Sequence, residues 1–535
     1  MQDYRDVLAS NTVQEMRTMV NDNFNTIRST HAGEAFPTEN LVLGMKCFRT
    51  DEKKTYTLVS MDPLEWAVEA SGGDIVNAQK YLAFIGREAL GRLTDWSGLF
   101  NRALSVEVVD FADLGTGAYV TNMSKMFHDC VSLKTVLNLN LPSSHVVRDV
   151  HGMFSECTAI SVLDVTGFQA KNVESFVDMF SDCHELKKLD VSGWQTGNAT
   201  DMRGMFRNCW KLESLDVSKW NVSKCTDFAE MFAGCRRLRG LDFTTWDTAK
   251  ATAMGGMFQG CGNENVPFAP LKLDLTTLDA SNVETTAKMF AYARAELIIG
   301  EKMRKTGKCT HMEGMFSRFN NLGDVVIAGD GYNPAVMATD YHGTPCKQTI
   351  FTAFDYSSVE NMSGMFEGTY AVNCEIDSKK GLVFHVSTPN VTNVSRLFSS
   401  TYGAQFMDVS INTDKITEMQ WMFDGANPAS IRLRNFDTRN FDTRKMTFGW
   451  TEVIPVDGMF KNCRNLRYLI IDDTTFKFKL LKDVLADLPA ECRFVVPRAM
   501  IPVYKEQEHW KNYASRLIAM EDCSLYGACV NSAPA

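Results

Sequence analysis

The carboxylates Asp164, Asp190, Asp216 and Asp242 recur once every 26 residues, each directly after a leucine. Rows of carboxylates serve calcium binding, where the metal wants hard oxygen ligands, or glycoside hydrolysis, where two carboxyls in unlike environments sit about 5 Å apart. Strict recurrence argues against both, because a group present in every repeat supports the repeat itself, here as a turn residue accepting backbone N–H groups. Cysteines follow the same rule. Cys130, Cys157, Cys183, Cys209, Cys235, Cys261 and Cys463 each lie three residues after a repeat Phe and read as a buried ladder of small apolar side chains. Cys523 and Cys529 stand outside that register, and their pairing stays open. His128, His151 and His184 fall in or near one segment of successive repeats, which exposed positions explain better than a comb of metal ligands. The chain lacks Cys-x-x-Cys, His-Glu-x-x-His, Gly-x-Ser-x-Gly and a Walker loop, and Gly115-Thr116-Gly117 has no third glycine. No catalytic residue, metal ligand or cofactor is expected.

The element that must position these groups is a repeat. A Met-Phe pair starts at Met153, Met179, Met205, Met231 and Met257, 26 residues apart each time. In the copy DMRGMFRNCWKLESLDVSKW, Met202, Met205, Phe206 and Cys209 fall at i, i+3, i+4 and i+7, which predicts a two-turn helix. Leu212, Leu215 and Val217 then alternate as in a strand, and Trp220 follows a turn. Trp194, Trp220 and Trp246, with Phe168 as their equivalent, read as core or turn packing. Looser copies carry Phe100, Phe127, Phe290, Phe316, Phe366, Phe398, Phe423 and Phe460. One strand and one short helix cannot bury their own apolar face, whereas stacked copies can. The expected fold is an α/β repeat: a leucine-rich-repeat-type solenoid with one short parallel strand and one short helix per coil, preceded by a small N-terminal helix and β-hairpin module.

Residues 1–70 hold that module. Val13, Met16, Val20, Phe24 and Ile27 form an amphipathic seam for a partner, and a hairpin turns at Asp51-Glu52-Lys53-Lys54. Residues 71–95 read as an N-cap helix opened by Asp74, residues 96–480 as the solenoid, 481–520 as a C-terminal cap and 521–535 as a tail. After Cys261 the Phe spacings become 32, 26, 50, 32, 25 and 37, so insertions interrupt the coils between residues 262 and 456. Insertions on a solenoid map to one face, often the binding face. The off-register aromatics Tyr332, Tyr341, Tyr370, Tyr402 and Trp450 are therefore the candidate receptor contacts.

A net charge of -10 argues against a nucleic-acid partner. The local run Arg432, Arg434, Arg439, Arg444 and Lys445 reads as a solvated face. No apolar stretch is long enough for a membrane span, and MQDYRDVLAS lacks a signal-peptide core, so synthesis in a cytoplasm without export is expected.

The phrase DMRGMFRNCWKLESLDVSKWNVSKCTDFAEMF resembles the 26-residue leucine-rich repeat of BspA-like bacterial surface proteins, also abundant in mycoplasma surface proteins. The resemblance covers roughly residues 96–520, and CRFVVPRAMIPVYKEQEHWKNYASRLIAM is similar to the closing segment of those proteins. It implies an adhesin or surface-recognition module. Residues 33–66 resemble a segment of bacteriophage tail-fibre and other virion proteins, with Phe36-Pro37, Gly44, Phe48, Thr50-Asp51, Tyr56 and Trp66 at the matching places, Phe48 standing where Tyr is commoner. Together the two resemblances imply a virion appendage, made in the host cytoplasm, that binds other virion proteins through its N-terminal module and a host-surface glycan or protein through its solenoid. A homo-oligomer is expected, trimers being common among proteins with the N-terminal segment. The alternatives are a structural virion component (neck, baseplate or capsid decoration), a bacterial surface adhesin, and a depolymerase enzyme.

Overall fold

The computed structural model describes residues 94–523 apart from 105, 112–119, 140–145, 169, 264–269, 320–324, 328–337, 340–344, 347–353, 371–373, 377–378, 435, 440–445, 449–450, 454–457, 479–483 and 486; before residue 94 it describes only 31–33, 46–49, 54–61 and 64–68. The helical seam Val13, Met16, Val20, Phe24 and Ile27 and the helix expected after Asp74 lie outside the described residues. The chain divides into two compact units, one closing at Trp246 and one opening at Asp247.

The first unit contains the N-terminal module, a four-stranded sheet. Lys46–Arg49 and Lys54–Met61 pair antiparallel with Arg49 opposite Lys54, the expected hairpin. His31–Gly33 adds to it in parallel and Leu64–Val68 antiparallel, two strands that the sequence reading missed.

The coils of this unit are parallel and stacked, but the Met-Phe segment is not a helix. In the copy starting at Met202, Met205 N donates to Met202 O at 3.3 Å and Cys209 N to Phe206 O at 3.1 Å, closing successive tight turns. The alternate N–H groups leave the coil: Gly204 N reaches Ala229 O at 2.8 Å, Phe206 N reaches Met231 O at 2.9 Å and Asn208 N reaches Ala233 O at 2.7 Å. Gly204 and Asn208 hold φ of 62° and 57°, and the pairs Gly152 and Glu156, Asp178 and Asp182, and Glu230 and Gly234 repeat that geometry four residues apart. Left-handed residues at that spacing forbid an α-helix. An isolated two-turn helix would be marginal and would leave its end groups unpaired; the turn string passes every second amide to the next coil.

The apolar spacing still does what it was read to do. Met202, Met205, Phe206 and Cys209 are fully buried, and burial of each Met or Phe contributes roughly 1.5–3 kcal/mol. Phe100, Phe127, Phe154, Phe180, Phe206 and Phe232 stack face to face with centroids 5.2–5.8 Å apart. Single parallel bridges link the coils at one corner, from Asp95 through Asn122, Asp149, Ser175 and Asp201 to Asp227.

The second unit repeats this core in less regular coils. Its stack runs through Phe258, Phe290, Phe316, Phe366, Phe398, Phe423 and Phe460 at 5.3–6.1 Å. Its strands are longer. Leu271–Leu275, Ala295–Ile299 and Val325–Ile327 are parallel. A seven-stranded sheet follows in the order Cys374–Ile376, Lys379–His385, Phe406–Ser410, Ser430–Arg434, Tyr468–Asp472, Arg493–Val496 and Leu517–Ala519, parallel except for its first pair.

The closing segment, read as a C-terminal cap, is a short α-helix, Ile501–Glu506, then a 3-10 helix, Lys511–Arg516. Gln507 turns extended at ψ 140°, which lets Trp510 leave the helical path. Trp510 is 1% exposed, packed edge-on to Phe494 at 5.5 Å and Tyr504 at 4.7 Å, so an aromatic cluster closes the last coil.

Candidate ligand-binding surface

In the first unit the groups with chemical potential are committed to the scaffold. Asp164, Asp190 and Asp216 each accept, through Oδ1, the N–H (3.0–3.1 Å) and hydroxyl (2.7 Å) of Thr166, Ser192 and Ser218. Asp242 accepts the Thr244 N–H at 2.9 Å. Those bonds hold the Asp164 and Asp216 carboxyls below the usual carboxylate range.

The cysteine ladder is equally inert. Cys130, Cys157, Cys183, Cys209 and Cys235 each donate Sγ–H to the Phe carbonyl of the preceding coil at 3.0–3.2 Å. Burial pushes the Cys130 and Cys235 thiols up to about 12, which suppresses the thiolate. Trp194, Trp220 and Trp246 are buried, and each indole N–H donates to a Val carbonyl, of Val165, Val191 and Val217, at 3.1–3.2 Å.

His184 lies 3.6 Å through Nε2 from Asp182. Its ring stacks on Trp210 at 3.7 Å, and Arg236 covers the same indole at 4.7 Å. Among the described residues no three His, Cys, Asp or Glu side chains converge so as to hold a metal ion, and no helix is long and apolar enough to cross a membrane. Cys523 is disulfide-bonded.

In the second unit the first two residues of the basic run are not solvated, and its last two, Arg444 and Lys445, lie outside the described residues. Arg432 and Arg434 lie on the strand Ser430–Arg434 and are almost wholly enclosed. Arg434 grips the buried Asp408 through two bonds of 2.7 Å, and both arginines reach Asp472, Arg432 at 2.5 Å and Arg434 at 3.3 Å. His385 Nε2 adds a contact to Asp408 at 3.1 Å. Burial pushes the Asp408 pKa up, but hydrogen bonds and charge from Arg434 and His385 outweigh it and hold the carboxyl well below its ordinary value. Alternation along the strand placed these arginines opposite carboxylates on neighbouring strands, a pairing invisible to a count of local charge. Arg439, further on, is exposed and pairs with Asp437.

Of the five candidate receptor aromatics, Tyr332, Tyr341 and Trp450 lie outside the described residues. Tyr370 and Tyr402 come together across adjacent coils, joined by a parallel bridge, with rings edge to face at 5.6 Å and 70°. Gly403, at φ 90°, makes that approach possible: a Cβ there would meet the Tyr370 ring at 2.3 Å. Tyr402 keeps 49% of its surface exposed.

Beside Tyr402 lies an open hollow of about 450 Å³ lined by Gln405, Asn427, Asn465 and Arg467 together with the small residues Gly403, Ala404 and Ala429. The strand register aligns Gly403, Asn427 and Asn465, each three residues before the paired Phe406, Ser430 and Tyr468. Of these residues only Tyr402 was a candidate from the sequence; the polar rim, whose members come from three coils, was not. The available signal was a shortened middle coil: Phe423 to Ser430 spans seven steps, Phe398 to Phe406 and Phe460 to Tyr468 eight. Two other depressions, of about 580 Å³ and 540 Å³, lie in the first unit over Gly193 and Gly197 and over Val162 and Lys188.

The fold defines a repeat solenoid of stacked parallel coils. The chain belongs to the family described as "Mycoplasma protein of unknown function, DUF285", whose model matches residues 94–214, 148–270, 200–329, 310–436 and 378–484, well over half of its length. No curated protein matches it. A solved structure entitled "Crystal structure of TLR13-ssRNA13 complex" aligns over 77% of this chain and 79% of that chain at 10% identity, but its TM-score of 0.15 carries no argument.

Proposed function

We propose that this chain is a non-enzymatic recognition protein: residues 1–70 fix it to a bacteriophage particle as a tail-fibre-like appendage, and the solenoid binds a glycan or protein of the host cell surface. The observation that supports binding over chemistry is the commitment of the recurrent Asp and Cys groups to turns and inter-coil bonds, beside a half-exposed tyrosine at the edge of an open polar hollow. The anchoring half rests on the similarity of residues 33–66 to virion proteins. Several copies on one particle would multiply weak single contacts. Nucleic acid and membrane insertion have no part in this reading.

A second reading, a bacterial surface adhesin displayed by the cell itself, is favoured by the mycoplasma description of the family. The disulfide at Cys523 suits either location outside a reducing cytosol.

Immunogold labelling with antibodies to residues 1–70 and to the solenoid, on purified particles and on intact cells, separates the two. Label on particles and binding of purified protein to host cells support the appendage; label on cells alone supports the adhesin. Release of soluble sugar from host envelope material by the purified protein would overturn the non-enzymatic reading.

A further inference from the structure

The hollow beside Tyr402 has the chemistry of a particular ligand class, an inference that rests on the surface-binding reading above. We infer that it is a subsite for one hexose unit of a neutral glycan, with the Tyr402 ring as the stacking platform and Asn427, Asn465 and Gln405 as hydroxyl partners.

The platform is rigid as well as exposed. Tyr402 is braced edge-on by Tyr370 across the bridge between their coils, and Gly403 provides the room for that contact. A braced aromatic loses little conformational freedom on binding, and its apolar face suits the C–H face of a sugar ring.

The rim supplies groups that both donate and accept. A carboxamide carries two N–H donors and a carbonyl acceptor, which matches the hydroxyls of a sugar. Neither the Asn427 nor the Asn465 amide is hydrogen-bonded among the described residues. The Gln405 carbonyl accepts Lys380 N at 3.0 Å, which fixes that side chain and leaves its NH2 group for a ligand. Small residues, Gly403, Ala404 and Ala429, make up the rest of the lining and keep the hollow open, and the volume of about 450 Å³ falls in the range of small-ligand sites.

The same features disfavour other classes. Arg467 is the one cation in the lining, and its Nη1 already lies 3.2 Å from Glu491, so a phosphate backbone gains little there. The strands below, Phe406–Ser410, Ser430–Arg434 and Tyr468–Asp472, are paired on both sides, so an extended peptide finds no free edge to join.

The test is saturation-transfer NMR of the full chain with a panel of free hexoses and N-acetylhexosamines. At least one sugar should receive magnetisation, strongest on the C–H groups of one ring face. Tyr402→Ala should weaken its binding at least tenfold and Tyr402→Phe should keep it, because the ring is retained. Ala429→Gln should abolish it by filling the hollow, and amide exchange of the neighbouring coils reports whether each variant remains folded. Absence of transfer to every sugar of the panel overturns the inference, as does wild-type binding by folded Tyr402→Ala and Ala429→Gln variants. If those variants also adhere to host cells as wild type does, the hexose subsite fails and the recognition reading stands; if the wild-type protein adheres to no surface, the recognition reading fails.

Discussion

Replacement of Gly152 by alanine distinguishes a turn string from a helix by the sign of its effect. Gly152 opens the Met-Phe segment at φ 57°, and a Cβ built there meets Lys125 Cγ at 3.4 Å and Ser155 Cβ at 3.7 Å, ordinary contacts. Space is therefore not limiting, and the cost of Gly152→Ala is the left-handed backbone strain, about 1–2 kcal/mol. In a helix the same change would stabilise by roughly 1 kcal/mol. Gly204→Ala should cost more, since its Cβ would also meet Asp178 Oδ1 at 2.2 Å and displace that carboxylate.

A long repeat array has no single unfolding midpoint, so the assay is local hydrogen exchange in the peptide spanning residues 150–157. Gly152 N and Phe154 N bond across to Val177 O and Met179 O, both at 2.8 Å. A loss of 1–2 kcal/mol accelerates their exchange about 5- to 30-fold. Slower exchange in Gly152→Ala would refute the turn geometry. The converse change, Glu156→Gly at φ 62°, should leave stability unchanged or raised, where a helix would lose about 1 kcal/mol.

Trp220→Ala removes a fully buried indole and its bond to Val191 O, and should cost about 3–5 kcal/mol, read as faster local hydrogen exchange in the coils on either side of it. Asp408→Ala leaves Arg434 and His385 without their shared partner and should cost about 3–5 kcal/mol at pH 7. Because folding lowers the Asp408 pKa, its contribution is fully present above the unfolded value of about 3.9 and is lost as pH falls further; denaturation at pH 7 and pH 3 should show the wild-type advantage shrinking. Iodoacetamide at pH 8 should leave Cys130 and Cys235 unlabelled in the native protein and label both in urea, checked by peptide mass spectrometry. Native labelling would contradict the buried ladder.

The repeat and its core were legible because burial obeys spacing: Met202, Met205, Phe206 and Cys209 all point inward as their positions required. The backbone was misread because spacings of three and four residues fit a helix and a string of alternating turns equally well. Glycines at 204, 234, 256, 260, 314, 364, 368 and 458 inside a supposed helix were the neglected signal, as a recurrent glycine marks a backbone requirement. Of the candidate site, Tyr402 was legible because it breaks the repeat. Asn427, Asn465 and Arg467 were not, because only the strand register brings them beside it, and register follows from packing over coils of unequal length.

The backbone inter-coil bonds of the Met-Phe segments run one way, each N–H toward the coil later in the sequence, as from Phe154 to Met179, Phe180 to Met205 and Phe206 to Met231. In an ordinary sheet neighbouring peptide dipoles largely cancel. Here those of the bonded amides, about 3.5 D apiece, add. Within each unit this row of turns thus has an electrical direction along the stack, its carbonyls toward the earlier coils and its amides toward the later ones.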